Sequence, residues 1–136
     1  MTGTVDIDGL GYDPEVAPDP RAWLALDEGE RCRRVEAWHR ASDEPLPEEL
    51  TVHVALQTTI ENQIALGMSS VAQACQRLRG EGLTRHDALH AIGVALVDYM
   101  QSLLRGDRTP AECLANYEAA LGRLDAAAWY ALLDEA

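Results

Sequence analysis

Residues 84–106 read TRHDALHAIGVALVDYMQSLLRG, and this stretch decides the fold. Leu89, Ile92, Leu96, Met100 and Leu103 recur at three- and four-residue steps, the period of a helix with a single apolar stripe. Thr84 stands where an N-cap belongs. Asp87 follows three residues on, a capping-box-like pair with Asp in place of Glu or Gln. Gly106 and Asp107 supply the stop. The long helix predicted over 84–105 sets the pattern for the rest of the chain.

The same signals recur on both sides. Upstream, residues 48–66 predict a helix ended by Gly67. A shorter one, capped by Ser69 or Ser70, runs to about Arg79 and stops at Gly80 and Gly82. Further upstream, Asp19 caps a short helix with Pro20 at its first position. Glu28 to Ser42 forms another helix before Pro45 and Pro47 break the chain. Downstream, Thr109 with Pro110 opens a helix to about Leu121, and Asp125 caps a last one reaching Leu133. No segment alternates as a half-buried strand does.

The expected fold is therefore all-α. It is a compact bundle of six to seven helices, a single domain over residues 19–136, with the third and fifth helices at its centre. An extended acidic arm over residues 1–18 precedes it. In that arm Asp6, Asp8 and Asp13 lie beside Gly9 and Gly11, but a calcium loop needs a different spacing and a closing Glu, so the arm reads as solvated coil. Trp23, Leu26 and Trp38 are expected to cover the bundle from one side.

Composition narrows the function classes. The chain has 136 residues, 47% of them hydrophobic, enough for one core. Phe is absent, so Leu, Ala, Val and Ile must fill that core with Trp and Tyr as the large pieces. A formal net charge of -12 repels a phosphate backbone, and Arg31, Arg33, Arg34 and Arg40 fall on several sides of one helix. No nucleic-acid partner is expected. Cys32, Cys75 and Cys113 have neither metal nor redox spacing, which suits a reducing compartment. Residues 1–8 lack the parts of a signal peptide, and no apolar run approaches a membrane span. The expectation is a cytoplasmic protein that does not enter membranes. No phosphate-cradling glycine loop or dinucleotide fingerprint occurs.

Two helices carry the polar chemistry. In the third, Leu56, Ile60 and Ile64 define an apolar stripe, with His53 on it, Gln57 and Glu61 along its edge, and Thr58, Thr59 and Asn62 on the other side. In the fifth, His86 and His90 are four apart and share a face. Gly93, one turn further, would let another helix approach. Roughly parallel third and fifth helices would bring His53 opposite His86 and His90. Glu61 would serve as fourth ligand or as an orienting partner, since it stands ~12 Å along the axis from His53. Gln57 would stand at the rim. Such a set, His53, Glu61, His86 and His90, suits a divalent transition metal, zinc or iron before others. Three nitrogen ligands with an open position would suit water activation. His39, beside Trp38, is the extra candidate ligand.

The stretches Tyr12-Asp13-Pro14, Trp23-Leu24-Ala25-Leu26-Asp27-Glu28 and Trp38-His39 resemble the start of a family of small bacterial helical proteins of unknown function. Glu61-Asn62-Gln63 and His86-Asp87-Ala88-Leu89-His90-Ala91-Ile92 resemble its second half. The likeness runs from Tyr12 to about Leu104 and rests on spaced histidines with fixed neighbours. Similar proteins carry another His one turn after the position of His53. Here that position is Gln57, and an amide is a poor ligand for zinc or iron. The resemblance implies a functional polar site and no particular reaction.

The alternative reading is a non-enzymatic interaction module. Its acidic surface would meet a basic protein partner. The last helix would dock or form a homodimer through Leu124, Trp129, Leu132 and Leu133.

Overall fold

The structure is a computed structural model that describes residues 11–135, so Asp6, Asp8 and the rest of the arm's first ten residues lie outside it. Among the described residues there are seven helices and no strand, as the all-α expectation requires. They are α1 (Pro20–Ala25), α2 (Glu28–Ala41), α3 (Leu50–Ala65), α4 (Ser69–Gly80), α5 (Arg85–Arg105), α6 (Pro110–Arg123) and α7 (Ala126–Glu135). The chain divides into two compact units, residues 1–67 and 68–136.

In the first unit α3 packs against both α1 and α2. Asp19 and Asp27 cap α1 and α2, their carboxylates accepting the amides of Ala22 at 3.0 Å and Glu30 at 2.8 Å. The core is Tyr12, Trp23, Val35 and Val54, with Leu24, Leu26, Trp38 and Leu50 against it. Trp23, Leu26 and Trp38 thus join one cluster, as the sequence predicts. Arg31 closes the open end of α1. Its guanidinium donates to the carbonyls of Trp23 and Leu24, both at 3.0 Å, and pairs with Glu28 at 3.0 Å. Residues 11–19 form no helix, yet Tyr12 and Pro14 are buried where a solvated coil was expected.

The faces of α3 differ from the reading of its sequence. Its buried residues are Val54, Gln57, Thr58, Ile60 and Glu61, while Leu56 and Ile64 are only half-buried. Thr58, expected outside, is fully buried. Apolar residues occur on several sides of this helix, so hydrophobicity alone does not select the inner face. Gln57 and Glu61 can be buried because the Tyr12 hydroxyl bridges them, whereas the buried Thr58 hydroxyl has no hydrogen-bond partner among the described residues.

In the second unit α5 packs against α4 and α6, which also pack on each other. Thr84 accepts the Asp87 amide at 3.1 Å, as expected. Helix α4 departs from expectation: Met68 is its N-cap and no side chain caps it, so neither Ser69 nor Ser70 does this work. The apolar stripe of α5 holds at Leu89, Ile92 and Leu96 and then fails, because Met100 and Leu103 are exposed. Ala88, Ala91, Ala95 and Ser102 are buried instead. Small side chains on this face allow close helix approach, and Ser102 Oγ meets Cys113 Sγ of α6 at 3.1 Å. Gly106 ends α5 at φ 70°, in the left-handed region where glycine is favoured. Arg77 secures the α6–α7 turn by donating to the carbonyls of Leu121 at 2.9 Å and Leu124 at 2.7 Å. Among the described residues no helix is long and apolar enough to cross a membrane.

Candidate metal centre

The buried face of α3 carries a directed chain of hydrogen bonds. The Tyr12 hydroxyl donates to Glu61 Oε2 at 2.6 Å, and Gln57 Nε2 donates to the Tyr12 oxygen at 2.9 Å. Gln57 Oε1 lies 2.9 Å from His39 Nε2 on α2. The chemistry of each group orders the whole row. The Tyr12 hydroxyl gives its one proton to Glu61, so its oxygen is left to accept. The tyrosine oxygen then takes the amide N–H of Gln57, which turns the amide oxygen toward His39. An oxygen facing Nε2 requires the proton to sit there, and in the neutral ring this leaves Nδ1 as the basic nitrogen. Within this row it is the Gln57 oxygen that selects the His39 tautomer protonated on Nε2. Glu61 and Gln57 are 1% and 2% exposed, so both belong to the interior. Gln57 is not at a rim, as expected from sequence; its two hydrogen bonds are what make its burial tolerable.

His39 faces His53. Their ring centroids are 4.7 Å apart and nearly perpendicular, at 86°. A ring nitrogen of one lies within 4.8 Å of a ring nitrogen of the other. Trp38 stands edge-on to His39 at 5.0 Å and limits its movement. One zinc ion bound to two imidazoles at ~2.0–2.1 Å in tetrahedral geometry holds its nitrogens roughly 3.4 Å apart.

In the second unit His86 and His90 share a face of α5, as their spacing predicts, with ring centroids 4.2 Å apart. His86 is buried and His90 half-buried, 6.0 Å from the Trp129 ring. Gly93, one turn on, is buried.

Of the ligands expected from sequence, His53 is brought to His39, and His86 to His90. Glu61 sits about two turns along α3 from His53 and is engaged by Tyr12. The sequence reading missed the place of Tyr12 and the burial of His39. The Gly-Tyr-Asp-Pro stretch, residues 11–14, was a signal for an ordered turn: Asp13 Oδ1 accepts the Glu15 amide at 2.9 Å there. Nothing in the sequence marks Gln57 as the link between them. Comparison with known protein families, with curated proteins and with solved structures finds no match.

Proposed function

We propose that this chain binds a divalent transition metal through its imidazoles, zinc or iron before others. The observation that carries this reading is the His39–His53 pair, with ring nitrogens within 4.8 Å on two helices packed together. The hydrogen-bond chain adds to it. A metal-bound histidine commonly donates its other N–H to an oxygen acceptor that fixes tautomer and orientation. Gln57 does this for His39, backed by Tyr12 and Glu61. In this reading Glu61 is the orienting partner rather than a direct ligand, one of the two roles its spacing allowed. His86 and His90 offer a second imidazole pair of the same ligand type.

The test is metal content and affinity. Protein purified without chelator is expected to carry stoichiometric metal by elemental analysis and to take up zinc in calorimetry. His39→Ala or His53→Ala should remove most of that affinity while the helical CD spectrum survives. His86→Ala and His90→Ala then report which further imidazoles the ion takes. Because ligation needs neutral rings, affinity should fall as pH drops through about 6.5. Wild type that binds no zinc, or binds it equally well without His39 and His53, would sink the reading.

A further inference from the structure

From Ala126 to Leu133 helix α7 reads AAAWYALL, eight residues without a charge. A helix that is apolar on every side belongs in an interior. Yet among its described side chains Ala126 alone is buried, and Tyr130, Leu132 and Leu133 are 49%, 47% and 50% exposed. The hydrogen bonds that hold it lie at its start. Asp125 Oδ1 accepts the Ala128 amide at 2.7 Å, and Glu81 Oε1 accepts the Ala126 amide at 2.8 Å. Further along, Trp129 is half-buried with its ring 6.0 Å from that of His90 on α5, and its indole N–H meets no acceptor among the described residues.

Between α7 and α5 lies a shallow groove of about 40 Å³. It is lined by Ala91 and Val94 of α5 and by Leu124, Ala128 and Leu132, with Asp125 its one charged group. That volume is far below what a small molecule needs, so the groove suits side chains that protrude from another polypeptide. Helical spacing sets Asp87 one turn before Ala91 and Asp98 one turn after Val94, on the same face of α5. Asp98 and Asp125 are exposed and Asp87 is half-buried. Among the described residues none of the three forms an ion pair. The groove is therefore apolar along its floor and acidic at its ends and edge.

This pattern selects the occupant. A second copy of the chain would set carboxylates against carboxylates, on molecules that each carry a net charge of -12. The half-exposed Val94, Tyr130, Leu132 and Leu133 also offer only roughly 400 Å² of apolar surface, short of the roughly 800 Å² per partner in a stable interface. A basic amphipathic helix answers both shortfalls, because its apolar stripe fills the groove and its cations meet the carboxylates. Asp87 and Asp98 stand ~16 Å apart along α5, the length of about three turns of a helix lying beside it. We propose that the α5–α7 groove docks a basic amphipathic helix of a partner protein. Its apolar stripe rests on Val94, Ala128 and Leu132, and its Lys and Arg side chains face Asp87, Asp98 and Asp125. The site is independent of the metal reading and survives its failure.

Amide-resolved NMR titrations of the full chain test this with synthetic peptides of roughly four helical turns. The first peptide places Leu in one stripe and Lys elsewhere. The second replaces Lys by Glu, and the third scrambles Leu and Lys so that no stripe forms. The first should give saturable shifts on α5 and α7, and the other two none. Val94→Ser with Leu132→Ser should weaken the first peptide by at least roughly tenfold. Asp87→Asn with Asp98→Asn should weaken it severalfold and flatten its salt dependence. Asp43→Asn with Glu44→Gln removes as much charge outside the groove and should leave both nearly unchanged. Each variant is first checked for wild-type helical CD, and Leu132→Ser alone serves if the double variant does not fold. Equal binding of the scrambled peptide, shifts that avoid α5 and α7, or indifference to Leu132 would overturn the proposal. So would sedimentation in which the wild-type chain dimerises by itself and Leu132→Ser makes it a monomer, since the face would then belong to a second copy.

Discussion

The Tyr12 hydroxyl works in two directions at once, giving its proton to Glu61 and receiving one from Gln57. Its ring meanwhile packs 5.7 Å from that of Trp23. Tyr12→Phe keeps the packing and removes only the oxygen. It leaves a buried carboxylate short of a donor and a buried amide N–H short of an acceptor. The expected loss is about 1–3 kcal/mol, measured by urea denaturation. The same change should weaken zinc binding by roughly 10–100-fold, the usual cost of losing an orienting partner. Stability lost with metal affinity intact would show that the chain of hydrogen bonds is structural only. Trp23→Ala removes packing together with the indole N–H bond to Asn62 at 2.9 Å. That variant should lose roughly 3–5 kcal/mol. A loss near zero would contradict the burial of Trp23.

At the scale of elements, Thr109 and Glu112 form a full capping box on α6, each side chain serving the other's backbone amide. Thr109→Ala should cost about 1 kcal/mol. The backbone hydrogen bond from Thr109, then that residue's side chain, holds the Glu112 carboxyl below its ordinary value. A lowered folded-state value means that the stabilisation is present above the unfolded carboxyl range and is lost as pH falls through the folded value. The stability gap between wild type and Glu112→Ala should therefore be wider at neutral pH than in acid. A gap that is constant with pH would remove the charge from the explanation. Helix starts of this kind were legible in the sequence, because a cap is a local contract between residues three apart. Asp19, Thr84, Thr109 and Asp125 all gave themselves away; α4 did not, having no side-chain cap to read. Helix faces were harder. Which side of α3 turns inward depends on Tyr12 and His39, 45 and 18 positions from Gln57. No periodicity within α3 carries that information. The His86–His90 pair was legible because it lies within one helix; His39 beside His53 was not, because it needed the packing of α2 on α3.

For the whole molecule the dominant number is the net charge of -12. The ion pairs inside α2 do not change it. They are short contacts such as Arg40–Glu36 at 2.8 Å, and Arg34 and Arg33 hold the half-buried Glu30 carboxyl below its ordinary value. Salt acts differently on the two kinds of interaction. A contact near 3 Å still lies inside the Debye length of about 4 Å at roughly 0.5 M salt, so screening weakens it less than it weakens interactions at longer range. Repulsion among carboxylates spread over the surface acts over longer distances and is screened first. Raising sodium chloride from low salt to roughly 0.5 M at neutral pH should therefore raise the melting temperature by several degrees, about 1 kcal/mol of stability. A fall would mean that the ion pairs outweigh the repulsion.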